Sequence, residues 1–103
     1  YNQYRPYLSI NDYFKAFKFF IDKKIFDREI YNVVSKNLTV RSIVNIVNKS
    51  KKTKIKFVKS KIMNELSYKV KSLKLKKLGL KLNSDLKKEI NKTLKILNKK
   101  AYL

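Results

Sequence analysis

The chain has no cysteine, no histidine and no tryptophan, a single glycine, a single proline, and only 7 Asp+Glu among 103 residues. Each absence removes a class of chemistry. Without Cys and His there is no zinc cluster, thiol nucleophile, disulfide framework or Ser-His-Asp triad. A turn that cradles a pyrophosphate at a helix N-terminus needs several glycines to let backbone approach the phosphate, and Gly79 alone cannot build one. No apolar run approaches the ~20 residues of a membrane span, and no apolar core of a secretory signal opens the chain. The expectation is a soluble, cytoplasmic protein without a membrane partner. Its length is that of one domain with a modest core.

What is abundant is lysine. The formal net charge is +20, from 27 Lys+Arg. Such an excess invites a nucleic-acid partner. Two features weaken that reading. Only Arg5, Arg28 and Arg41 carry the guanidinium that reads phosphate and guanine in bidentate fashion. The lysines are also spread through every segment from Lys49 to Lys100 and form no single stripe. Lys, Asn and Ile together make up 44 of the 103 residues. Their codons are A/T-rich, so compositional drift enriches all three, and a solvated surface absorbs such exchanges at little cost in stability. Salt-sensitive, nonspecific binding to polyanions is expected on either reading.

Along the chain, Tyr7 to Ile10 reads as a short strand, with Asn11 or Asp12 capping the next helix. Tyr13, Phe14, Phe17, Phe20 and Ile21 recur at helical spacing and define one broad apolar face. A polar turn from Lys23 to Glu29 precedes Ile30 to Val34, an apolar run suited to a strand buried on both faces. Thr39 is placed to cap a helix carrying Val40, Ile43, Val44 and Val47 on one face. Lys54 to Lys59 alternates like a half-exposed strand, and Leu66 to Val70 reads as another. Ser72 to Leu78 reads as a helix ended by Gly79, the residue suited to a left-handed C′ position. Ser84 is positioned to cap the last helix, whose stripe is Leu86, Ile90, Leu94 and Leu97. The reading is α/β.

Three segments carry a resemblance. They are Arg5-Pro6-Tyr7-Leu8-Ser9-Ile10-Asn11-Asp12, Tyr31-Asn32-Val33-Val34-Ser35 through Thr39-Val40, and Ser67-Tyr68-Lys69-Val70 followed by Leu78-Gly79. In this order they resemble the second half of the extended short-chain dehydrogenase/reductases, the NAD-dependent nucleotide-sugar epimerases and dehydratases. The resemblance runs from Arg5 to about Leu97. It implies a C-terminal fragment of a Rossmann-type fold, with residues 1–36 supplying the last strand and helix of the dinucleotide-binding domain. Residues 37–103 would then form the substrate-binding portion, and the helix after Asp12 would pack on the sheet of an absent N-terminal half. The chain opens at Tyr1 without an initiator Met, and a piece of something longer is accordingly expected.

The resemblance also implies what this chain cannot do alone. The family's catalytic Tyr-x-x-x-Lys pair is missing, because no tyrosine here has a lysine four residues later. Other family positions differ: Ser9 replaces a usual His, Val34 a small residue, Ser42 a helix-start Glu, Lys71 an Asp and Leu66 an Arg. Lys61 and Asn64 stand where one subgroup has Arg-x-x-Asp. A cationic side chain holds pyrophosphate by charge-assisted bonds, and an amide can accept from a ribose hydroxyl. The resemblance therefore implies Arg5, Lys61 and Asn64 as substrate-binding residues for a nucleotide sugar. Two of them have a plainer reading, Arg5 as a structural ion-pair residue in its strand and Lys61 as one more surface lysine. No catalytic or metal residue is expected. NAD or NADP would belong to the complete protein, which is expected to be a homodimer, and not to this chain alone. The alternative is a small lysine-rich nucleic-acid-binding module.

Overall fold

The computed structural model describes residues 1–58 and 66–100. Among them, two strands and four helices follow in the order β1 (Tyr4–Tyr7), α1 (Ile10–Asp22), β2 (Lys36–Thr39), α2 (Val40–Ser50), α3 (Leu73–Lys77) and α4 (Leu86–Lys100). This is a small mixed α/β arrangement on a two-stranded antiparallel sheet. In its register Tyr4 faces Thr39 and Tyr7 faces Lys36. Pro6 is tolerated inside β1 for a geometric reason. The Tyr4 N–H points away from β2, to Ser67 Oγ at 3.0 Å. By strand alternation the missing N–H of Pro6 falls on that same outer edge and removes no bond between the strands.

The outer edge of β1 is met by residues 66–70, the segment that reads as a strand in the sequence. Tyr68 N–H does reach Tyr4 O at 3.2 Å, yet no ladder forms. The Asn37 side chain supplies the pairing instead, donating from Nδ2 to Val70 O at 2.9 Å and accepting from Val70 N at 2.9 Å. One amide thus satisfies both backbone groups of residue 70, as a neighbouring strand would.

Several further boundaries differ from the sequence reading. The first strand ends at Tyr7 because Ser9, not Asn11 or Asp12, is the N-cap of α1 and accepts from Asp12 N at 3.0 Å. Ile30 to Val34 forms no strand. Ile30 is 82 % exposed and only Val34 is buried, while Val34 N–H goes to Ser72 Oγ at 3.1 Å. The strand lies further on, at Lys36–Thr39, where the backbone reaches β1. Residues 54–58, the described part of the alternating lysine segment, form no strand either.

Other local signals hold. Thr39 caps α2 and accepts from Ser42 N at 3.1 Å. Gly79 has φ of +96°, the left-handed conformation expected after α3. Ser84 gives up the capping role to its neighbour: Asp85 Oδ1 accepts from Lys87 N at 3.0 Å and from Lys88 N at 3.4 Å. The carboxylate is the better match for the positive end of α4.

The core is small. Ala16, Leu75 and Leu80 are buried, with Phe19, Phe20, Tyr31, Val33 and Leu82 packed around them. The Phe20 and Tyr31 rings lie 4.9 Å apart. Helix α1 therefore turns Asp12, Ala16, Phe19 and Phe20 inward. Most of the aromatic face read from the sequence points outward: Tyr13, Phe14, Phe17 and Ile21 are all exposed, Phe14 by 62 %. Tyr13 and Phe17 stack on one another in the open at 6.4 Å.

Candidate functional site

Two of the motif segments and the start of α4 converge on one buried carboxylate. Asp12 is 3 % exposed. Its Oδ2 accepts from Ser35 Oγ at 2.6 Å and from Ser84 Oγ at 2.7 Å, with Ser84 N–H at 3.4 Å. Ser84's one hydroxyl hydrogen is used on Asp12, so in the 2.7 Å contact between Ser9 Oγ and Ser84 Oγ it is Ser9 that donates. Ser35 Oγ also accepts from Ser9 N at 3.0 Å. The result is a relayed capping box. The helix-start carboxylate reaches the N-cap backbone through the Ser35 hydroxyl and not directly.

A carboxylate beside two serine hydroxyls has the parts of a base and a nucleophile. Asp12 itself is buried, and the two hydroxyls that donate to it come from separate segments of the chain. Among the described residues no buried side-chain polar atom lacks a partner. The arrangement holds α1, residue 35 and the start of α4 together. Sequence reasoning had Asp12 only as a cap; the signal for more was a serine at each helix or strand start that faces it.

Arg5 sits at the outer edge of the sheet. Its Nη1 donates to Tyr4 O at 2.9 Å and to Leu66 O, and its guanidinium lies 5.1 Å from the centre of the Tyr68 ring. Two similar pairs flank the strand: Lys69 over Tyr4 at 4.1 Å and Arg41 over Tyr1 at 4.7 Å. Arg5 thus ties residues 66–68 to β1. Lys61 and Asn64 lie outside the described residues, so of the three expected substrate-binding residues only Arg5 has a described place.

At the other end of the core, Asp27 and Tyr31 form a second polar contact. Tyr31 Oη donates to Asp27 Oδ2 at 2.5 Å, and Glu29 N–H donates to Asp27 Oδ1 at 3.1 Å. The Tyr31 hydroxyl, then the Glu29 amide, hold the Asp27 carboxyl below its usual range. Conversely the phenol is pushed up to about 12, because ionising it would break the bond to Asp27.

Among the described residues no group of three or more His, Cys, Asp or Glu side chains could hold a metal ion. No described helix is long and apolar enough to cross a membrane. No protein-family model, curated protein or solved structure matches the chain.

Proposed function

We propose that this chain is the nucleotide-sugar-binding portion of an NAD- or NADP-dependent epimerase or dehydratase, without catalytic competence of its own. The observation that carries the reading is the exposed face of α1. Tyr13, Phe14, Phe17 and Ile21 stand open beside an already formed small core. An apolar patch of this kind marks a surface that another body covers, and the resemblance supplies that body, a dinucleotide-binding half. A second support is that the three segments bearing the resemblance meet through Asp12, Ser35 and Asn37, as parts of one inherited scaffold would. In the complete enzyme the upstream Tyr and Lys would move protons and the nicotinamide would take and return hydride. Arg5, Lys61 and Asn64 would hold the nucleotide sugar.

The test is a split between kinetic constants in the chain joined to such an upstream half. One charge-assisted contact to phosphate is worth ~1.5–3 kcal/mol, or roughly ten- to a hundredfold in affinity. Lys61→Ala and Arg5→Ala raise KM for the nucleotide sugar by that factor and leave cofactor affinity nearly unchanged; Asn64→Ala does so more weakly. Loss of NAD binding with KM for the sugar intact would remove these residues from the substrate site. Unfolding of Arg5→Ala would assign Arg5 to its contacts with Leu66 and Tyr68 alone.

A further inference from the structure

A cleft of about 370 Å³ opens between the start of β2, residues 70–73 and α3. Its apolar lining includes Val34 and Leu80, both buried. The polar part of its lining includes Lys36, Lys71, Lys76, Asn37 and Ser72, and no carboxylate lines it. Several other described lysines do bond an acceptor. Lys74 Nζ meets Glu29 Oε2 at 3.1 Å and Ile30 O at 3.0 Å, Lys15 meets Lys81 O at 2.9 Å, and Lys51 meets Asn98 Oδ1 at 3.0 Å. Around the cleft, Lys36, Lys71 and Lys76 have no such acceptor among the described residues.

Neutral donors stand beside them with capacity to spare. Ser72 Oγ accepts from Val34 N at 3.1 Å, which leaves its hydroxyl hydrogen to give. Asn37 Nδ2 spends one of its two hydrogens on Val70 O. Three like charges around one concavity repel each other, and an anion seated among them removes that repulsion while accepting charge-assisted bonds. The volume is at the lower end for small-molecule sites, which suits a compact ligand and not a polymer strand.

We propose that this cleft binds a small organic phosphate, its phosphoryl oxygens held by Lys36, Lys71, Lys76, Ser72 and Asn37 and its apolar body resting on Val34 and Leu80. The lining includes none of the residues expected to hold the nucleotide sugar, and the proposal does not depend on that reading. Phenyl phosphate is the probe, titrated calorimetrically into the chain in 0.15 M NaCl. Saturable one-to-one binding is expected, tighter than for inorganic phosphate because the ring adds apolar burial. The triple variant Lys36→Gln/Lys71→Gln/Lys76→Gln should weaken it by at least about tenfold. A control triple, Lys87→Gln/Lys92→Gln/Lys99→Gln on α4, has the same net charge and removes no lysine from the cleft lining; it should stay within about twofold. Equal weakening in the two triples would overturn the site in favour of the general field of the chain, and absence of saturable binding to the parent would overturn it outright. If the first triple loses helical circular dichroism, Lys71→Gln alone carries the test: a weakening confined to it and absent from Lys87→Gln supports the site, and no difference between the two refutes it.

Discussion

Ser84 donates its hydroxyl to Asp12 Oδ2 at 2.7 Å, joining the first helix to the start of the last across 72 positions of sequence. The bond is charge-assisted and its acceptor is buried, so it ranks among the stronger contacts in a chain whose apolar core is small.

Asp12→Ala removes the acceptor from two part-buried hydroxyls at once. Bonds to a charged group are worth ~1.5–3 kcal/mol each, with partial recovery as water enters. The expected loss is roughly 3 kcal/mol, or a fall in Tm of about 10–20 °C for a domain of this size. Ser84→Ala should cost less, about 1–2 kcal/mol, since Ser35 still donates to the carboxylate. Thermal melts followed by circular dichroism check both values. Equal stability of Asp12→Ala and the parent would show the network to be incidental.

Tyr31 and Asp27 should be visible as a titrating pair. The folded phenol is raised above 10.0 to about 12, so its contribution to stability is complete below pH ~10 and is lost as pH rises through ~12. Asp27 is depressed; its contribution is present above the ordinary carboxylate range and is lost as pH falls through the lowered value. Absorbance at 295 nm should show one tyrosine ionising later than the rest, and Tyr31→Phe should remove that late component. Persistence of the late component in Tyr31→Phe would reassign it.

Binding to polyanions should follow the charge and ignore the sequence. With a net charge of +20 carried mostly by lysine, affinity for unrelated oligonucleotides should be alike and fall steeply with salt. A preference of ~100-fold for one sequence at physiological salt would favour the nucleic-acid module over the enzyme fragment.

Local chemistry was legible in the residues, and long-range pairing was not. Thr39 and Gly79 declare themselves because a cap or a left-handed turn depends on one residue's own donors and sterics. Ile30 to Val34 misleads because an apolar run does not say what, if anything, covers it, and Ile30 is exposed. Here Tyr31 meets Phe20 and Val34 meets Ser72, and no strand is involved. Ser84 misleads for a related reason. It has the right chemistry for a cap, but Asp12 competes for its hydroxyl and Asp85 is adjacent to take over. The apolar face of α1 was legible as a face, while its division into a buried edge at Ala16, Phe19 and Phe20 and an open edge at Phe14 and Phe17 is set by where Leu75 and Leu80 pack. Of the expected substrate residues, Arg5 was legible as a cation at a strand, and its bond to Leu66 O is a tertiary fact that no local pattern carries.

The open face of α1 is where the account is most exposed to test. A dye that fluoresces on apolar surface should bind the chain alone at low salt, and its thermal transition should be broad, since Tyr13, Phe14, Phe17 and Ile21 lack a cover and the net charge of +20 repels itself. Joining a dinucleotide-binding half should abolish the dye signal and sharpen the transition. A sharp cooperative transition of the chain alone at low salt, with no dye bound, would contradict the claim that this protein is one half of an enzyme.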